Sequence, residues 1–349
     1  MKPVVHWSSK RPILPLLPHV RFWFKLRHAV FAFQILLHNT ITWAVDCMII
    51  PGLQSRKLRL TCIEFVLTSP QVPGHEIIGK VVAVGSGVSG WTVGDRVGGG
   101  WHGGHDGTCR ACKTGHYQMC DNQLVNGITR DGGYAEYCTI RSEAAVRIPP
   151  DVDAATYAPM LCAGVTVFNS MRQMQVPPGS TVAIQGLGGL GHLALQYANK
   201  FGYRVVALSR DSKKETFARQ LGAHEYIDGS KEDVGEALQK LGGASLIVST
   251  APDKNSITPL LKGLGIQGKL LILSIVDDLP VNTAILMRYG SSVHSWPSGH
   301  AIDSEEAIQF AGLQDIKCMV ETFPLEKANE AYDAMLKGSV RFRSVIKMN

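Results

Sequence analysis

The run TVAIQGLGGLGHLALQYA, residues 181–198, falls into three pieces. Thr181, Val182, Ala183, Ile184 and Gln185 form a short apolar segment that reads as a strand. Gly186, Leu187, Gly188, Gly189, Leu190 and Gly191 form a turn, and residues 192–198 then carry apolar side chains at helical spacing. A second strand follows over residues 204–208, so the spacing predicts a βαβ unit. The glycines have separate tasks in such a unit. Gly186 turns the chain out of the strand, Gly188 lets the backbone approach a pyrophosphate, and Gly191 lets the helix pack close to the sheet. The helix start offers free N–H groups and a positive dipole end to the phosphates.

Working outward, residues 245–249 and 269–273 read as further strands. Thr250, Ala251 and Pro252 lie just past the first of these, and Ser274, Ile275 and Val276 just past the second. An open parallel sheet places its ligands there, so Thr250 and Ser274 are candidates for the nicotinamide side of a dinucleotide pocket. The end of the 204–208 strand separates NAD from NADP, because an acid there binds the ribose 2′-hydroxyl and repels a 2′-phosphate. This chain has Ser209-Arg210-Asp211, then Lys213 and Lys214. Serine followed by arginine favours the 2′-phosphate of NADP. Asp211 sits two positions late and keeps NAD open. Ser209, Arg210 and Lys214 are therefore candidate cofactor contacts.

Two constellations carry metal chemistry. Cys109-x2-Cys112-x7-Cys120 has the spacing of a closed zinc site, and its fourth ligand is sought at Asp106 or at His105 beside it. The second constellation is split. Pro73-Gly74-His75-Glu76 precedes an apolar strand over 77–84, and Cys162 lies far downstream before the glycine turn. His75 and Cys162 are candidate ligands for a catalytic zinc that keeps one position open, with Glu76 an adjacent or alternate ligand; taken singly, His75 also reads as a turn histidine and Cys162 as a small buried hydrophobe.

Length suits two domains, and a reducing compartment suits cysteines clustered for metal rather than for disulfides. The formal charge of +6 comes from the N-terminus. Residues 1–60 hold nine Lys or Arg against one acid, Asp46, and the remainder is net acidic, which excludes a nucleic-acid partner. Residues 29–50 are largely apolar. A membrane anchor, a transit peptide and a mis-assigned gene start compete to explain this segment. His38, Asn39 and Asp46 are costly in hydrocarbon, which counts against the anchor.

The runs PGHEIIGKVVAVGSGV, VGDRVG, GTCRACKTGHYQMC, DGGYAEY, LCAGVTVFN, QGLGGLGHLALQYA, LGAHEYID and ETFPLEKANEAY resemble the zinc-containing alcohol dehydrogenases of the medium-chain dehydrogenase/reductase superfamily. They follow the family's order over about residues 70–349. The resemblance implies an α/β protein with a central Rossmann domain, a doubly wound parallel sheet, over 156–299. A GroES-like, β-rich catalytic domain over 71–155 would be completed by about 300–349, and 1–70 would be a divergent segment. It further implies a cytoplasmic, zinc-dependent enzyme that interconverts alcohols with aldehydes or ketones using NADP or NAD. Homodimers, or dimers of dimers, would pair through residues 280–293. His75, Glu76 and Cys162 would serve the catalytic zinc, and Cys109, Cys112 and Cys120 the structural one, with Asp106 where the family has a cysteine.

One departure is larger. The family's upstream motif, which supplies the first catalytic ligand and a proton-relay hydroxyl, has no counterpart here. Cys47 stands somewhat too far from His75 for the usual spacing and Cys62 too near, which leaves the first ligand unassigned and Cys47 as a candidate. Two alternatives follow: a catalytically impaired or mis-spliced relative without a complete catalytic zinc site, and a zinc-free reductase of the quinone type. The cysteine loop counts against the latter.

Overall fold

The computed structural model describes the strands Phe22–Val30, Lys57–Leu60 and Ile63–Val66, together with residues 72–276 and 278–348. Cys47, Cys62 and most of the apolar stretch 29–50 lie outside the described residues. Among the described residues, no helix is long and apolar enough to cross a membrane.

The chain packs as two units. The first comprises the described residues up to Cys162 and takes back Gly299–Gly312 and the chain from Lys317 onward. The second is Ala163–Ser298 with Leu313–Ile316. A division at residues 155 and 156 falls slightly before this break. The short helices Ala154–Tyr157 and Ala158–Leu161 pack on the strands Ile77–Val84 and Arg96–Gly99 and so stay with the first unit.

The second unit is built on six parallel strands. Their order is Glu225–Asp228, Arg204–Ser209, Thr181–Gln185, Ala244–Ser249, Leu264–Ile272 and Ser292–Ser295. In chain order this is 3-2-1-4-5-6, the doubly wound Rossmann arrangement. Thr181–Gln185 is central, and its Val182, Ala183 and Ile184 are fully buried, as a strand covered on both faces requires. The Leu264–Ile272 strand starts earlier than its sequence pattern suggests. Gln267 has φ +54°, and a Cβ on Gly268 would stand 2.7 Å from the Ala244 carbonyl oxygen, so irregular backbone interrupts the apolar run.

The first unit is β-rich. Val320–Pro324, Arg343–Lys347, Phe22–Val30, Ile77–Val84, Arg96–Gly99 and Ala145–Arg147 form one sheet in that order, and Tyr137–Cys138 pairs with Phe22–Val30. Chain from both ends of the described structure therefore meets in one layer. Its core gathers Ile77, Val81, Val97, Ile140 and Ile346.

Candidate active site and metal centre

The glycine turn in the second unit distributes its labour as the residues imply. Gly186 has φ +89°, which L side chains rarely adopt. A Cβ on Gly191 would lie 1.6 Å from the Gly186 carbonyl oxygen, so only glycine permits this approach of helix to turn. At Gly188, by contrast, a Cβ would meet nothing within 4 Å. That open backbone lies beside the start of the Gly191–Lys200 helix, which no side chain caps. Open backbone and an uncapped, positive helix end fit a pyrophosphate.

Neighbouring polar groups brace this turn. The Thr250 hydroxyl donates to the Gln185 carbonyl at 2.9 Å, and Ser274 donates to the Ala251 carbonyl at 2.7 Å. Lys214 Nζ donates to the Leu187 carbonyl at 3.1 Å. Ser209 ends its strand, and Arg210 follows it exposed to solvent. The Asp211 carboxylate accepts from the Lys213 backbone N–H at 2.9 Å, capping a short helix.

In the first unit, His75 is delivered by a turn with little freedom. Gly74 has φ +102° and lies against Tyr134. The segment Asp131, Gly132, Gly133 and Tyr134 clamps this turn from the other side. The N–H groups of Gly132, Gly133 and Tyr134 donate to the carbonyls of Val72, Gly74 and Pro73 at 2.7, 2.9 and 3.0 Å. Asp131 accepts from the Val72 N–H at 3.0 Å. A Cβ on Gly132 would stand 2.1 Å from the Gly74 carbonyl oxygen, so the DGGY run exists to let two backbones meet.

The clamp puts His75 and Glu76 in the interior, each 1% exposed, as is Cys162. Arg343 joins them, with Nη2 lying 3.8 Å from Glu76 Oε1. Burial, and then Arg343, pulls the His75 imidazole down to about 3, so at neutral pH the ring is uncharged and suited to ligation. Burial, and then Glu76, pushes the Cys162 thiol well above its ordinary range. A thiolate there needs a neighbouring cation, which is what a bound metal provides. The donor chemistry of the pair thus fits zinc. Trp101 meets the His75 ring edge-on at 5.2 Å. His75, Glu76 and Cys162 do not close by themselves into a compact ligand group among the described residues. Arg343 carries no motif that points to it in the sequence.

One compact ligand group does form among the described residues. Single ligand atoms of Asp106, Cys109, Cys112 and Cys120 all lie within 4.8 Å of one another. Cys109 caps the short helix Arg110–Lys113 that carries Cys112, and Cys120 closes the next turn. Asp106 Oδ1 faces Cys112 Sγ at 3.6 Å. Asn122, above all, and then the Thr108 N–H hold the Asp106 carboxyl far below the usual carboxylate range. His105 turns away, its Nδ1 lying 3.2 Å from His102 Nε2 and its ring stacking on Tyr117 at 4.2 Å. Of the two fourth-ligand candidates, only Asp106 reaches the thiols.

Comparison with known proteins agrees. The alcohol dehydrogenase GroES-like domain matches residues 46–150, and the zinc-binding dehydrogenase domain matches 189–311. The alcohol dehydrogenase patD of Penicillium expansum is 71% identical over 279 residues, covering 80% of this chain and 82% of that protein. An alcohol dehydrogenase of Geobacillus stearothermophilus is 39% identical over 281 residues, covering 80% and 83%. A cinnamyl alcohol dehydrogenase structure from Sorghum bicolor superposes with TM-score 0.78 at 26% identity, covering 94% of this chain and 90% of that one. The chain belongs to the zinc-containing alcohol dehydrogenases of the medium-chain superfamily. It is an alcohol–aldehyde oxidoreductase that works with zinc and a nicotinamide cofactor on a small-molecule alcohol or aldehyde. Neither the impaired nor the zinc-free alternative gains support.

Proposed function

We propose that His75 and Cys162, with Glu76 beside them, hold the catalytic zinc, and that Asp106, Cys109, Cys112 and Cys120 hold a structural zinc. NADP(H) is the cofactor, seated on residues 186–191 and flanked by Ser209, Arg210, Lys214, Thr250 and Ser274. When bound, zinc supplies Lewis acidity toward the substrate oxygen and the nicotinamide gives or takes the hydride. The protein's part is positioning. His75 presents a neutral nitrogen from a clamped turn, and Trp101 covers its edge. Arg343 balances the charge of Glu76 in the interior.

The observation that carries this reading is the joint burial of His75, Glu76 and Cys162 around Arg343 within one unit. NADP is favoured because Asp211, the nearby acid, is engaged as a helix cap while Arg210 is exposed. Wild-type protein should oxidise NADPH faster than NADH against small aldehydes. His75→Ala should lose roughly a thousandfold in turnover, the several kcal/mol of Lewis-acid stabilisation, yet retain NADPH binding by fluorescence titration. Undiminished turnover in that variant sinks the assignment.

A homodimer, or a dimer of dimers, is part of the proposal. Ser292–Ser295 is a terminal strand of the parallel sheet, and Val281 and Met287, in the segment that leads to it, are 36% and 83% exposed. Sedimentation at the single-chain mass at micromolar concentration would contradict it.

A further inference from the structure

The compact ligand group has an asymmetry that bears on how it holds a metal. Cys112 and Cys120 are buried, whereas Asp106 and Cys109 are half-exposed, so the carboxylate lies on the solvent side. A carboxylate is a harder and less committed zinc ligand than a thiolate, and it can swing about its own Cβ. Here that swing is restrained from both ends. The Thr108 and Cys109 N–H groups donate to Oδ1 at 2.7 and 3.3 Å. Asn122 Nδ2 donates to Oδ2 at 2.7 Å, a direction the chemistry dictates because an ionised carboxylate only accepts. Oδ2 is thereby occupied and Oδ1 is left on the side of the thiols, 3.6 Å from Cys112 Sγ.

We propose that Asn122 is the positioning residue of this centre: its amide locks Asp106 so that one carboxylate oxygen stands in for the missing fourth thiolate and closes the solvent side. The inference rests on the reading of Asp106 as a ligand. Asn122 lies two residues after the last cysteine, is exposed, and touches no substrate or cofactor residue named above. Partners of this kind, which hold a ligand rather than the metal, are worth about ten- to a hundredfold in metal affinity.

The test uses the full chain loaded with cobalt(II) or zinc. Asn122→Ala should lower affinity in chelator competition by about tenfold or more. In the cobalt form it should shift the visible d–d bands, which report ligand geometry, while the sulfur-to-cobalt charge-transfer band keeps its wild-type intensity. Asp106→Cys should raise that intensity and tighten binding. A variant that merely loosened the fold would leave the d–d bands of the bound fraction in place. Wild-type affinity and wild-type d–d bands in Asn122→Ala overturn the lock. Wild-type affinity and wild-type d–d bands in Asp106→Ala overturn the ligand reading beneath it, a different failure with a different signature.

Discussion

The glycine turn and the His75 pocket are two ways of building a site. The turn is contiguous: its strand, glycines and helix lie in residues 181–198, and side chains from elsewhere, Thr250 and Lys214, only brace it. The pocket is assembled from residues 72–76, the clamp at 131–134, Cys162 and Arg343, four stretches spread across the chain. A contiguous site fails at one atom; a dispersed site fails through its charges. The difference predicts which substitutions cost stability and which cost only ligand binding.

The largest effect belongs to the pocket. Arg343→Leu removes the guanidinium facing Glu76 in an interior where both are almost wholly buried. Breaking such a pair costs about 3–5 kcal/mol, and the variant should melt well below wild type in calorimetry. Adding Glu76→Gln should recover part of the loss, whereas a melting temperature unchanged by Arg343→Leu would mean the pocket is not held by charge. Next comes the turn. Gly191→Ala drives a Cβ against the Gly186 carbonyl, which the backbone cannot evade, and overpacking of this kind costs up to about 3 kcal/mol. Last is Gly188→Ala, where the added Cβ meets nothing. Denaturant melts should show it equal to wild type or up to about 1 kcal/mol more stable, while its NADPH affinity falls. If Gly188→Ala bound NADPH normally, the open side of the turn would not be the phosphate side.

The same contrast explains what was legible in the sequence. The strands at 181–185 and 77–84 stand where the residue pattern puts them, because a short run rich in Val and Ile between glycine-bearing turns admits little else. The glycine roles followed from local geometry. Arg343 was invisible: it opens a short apolar strand near the C-terminus, and only tertiary packing reveals that it faces Glu76. Asn122 was missed for a related reason, since a lone asparagine after a cysteine says nothing until its amide is seen on Asp106. The choice between His105 and Asp106 could not be made from spacing, because both stand close to Cys109. Direction decides it, His105 pairing with His102 instead. Cys47 lies within the stretch that matches the GroES-like domain but outside the described residues.

The clamp around His75 is written almost wholly in main chain. Three amides of one loop grip three carbonyls of another, with glycines at the contact. Side chains lining the substrate space can therefore drift over generations, or be redrawn by an engineer seeking another alcohol, without disturbing where the imidazole stands. The freedom ends at Gly74 and Gly132, where a single methyl group would part the two loops.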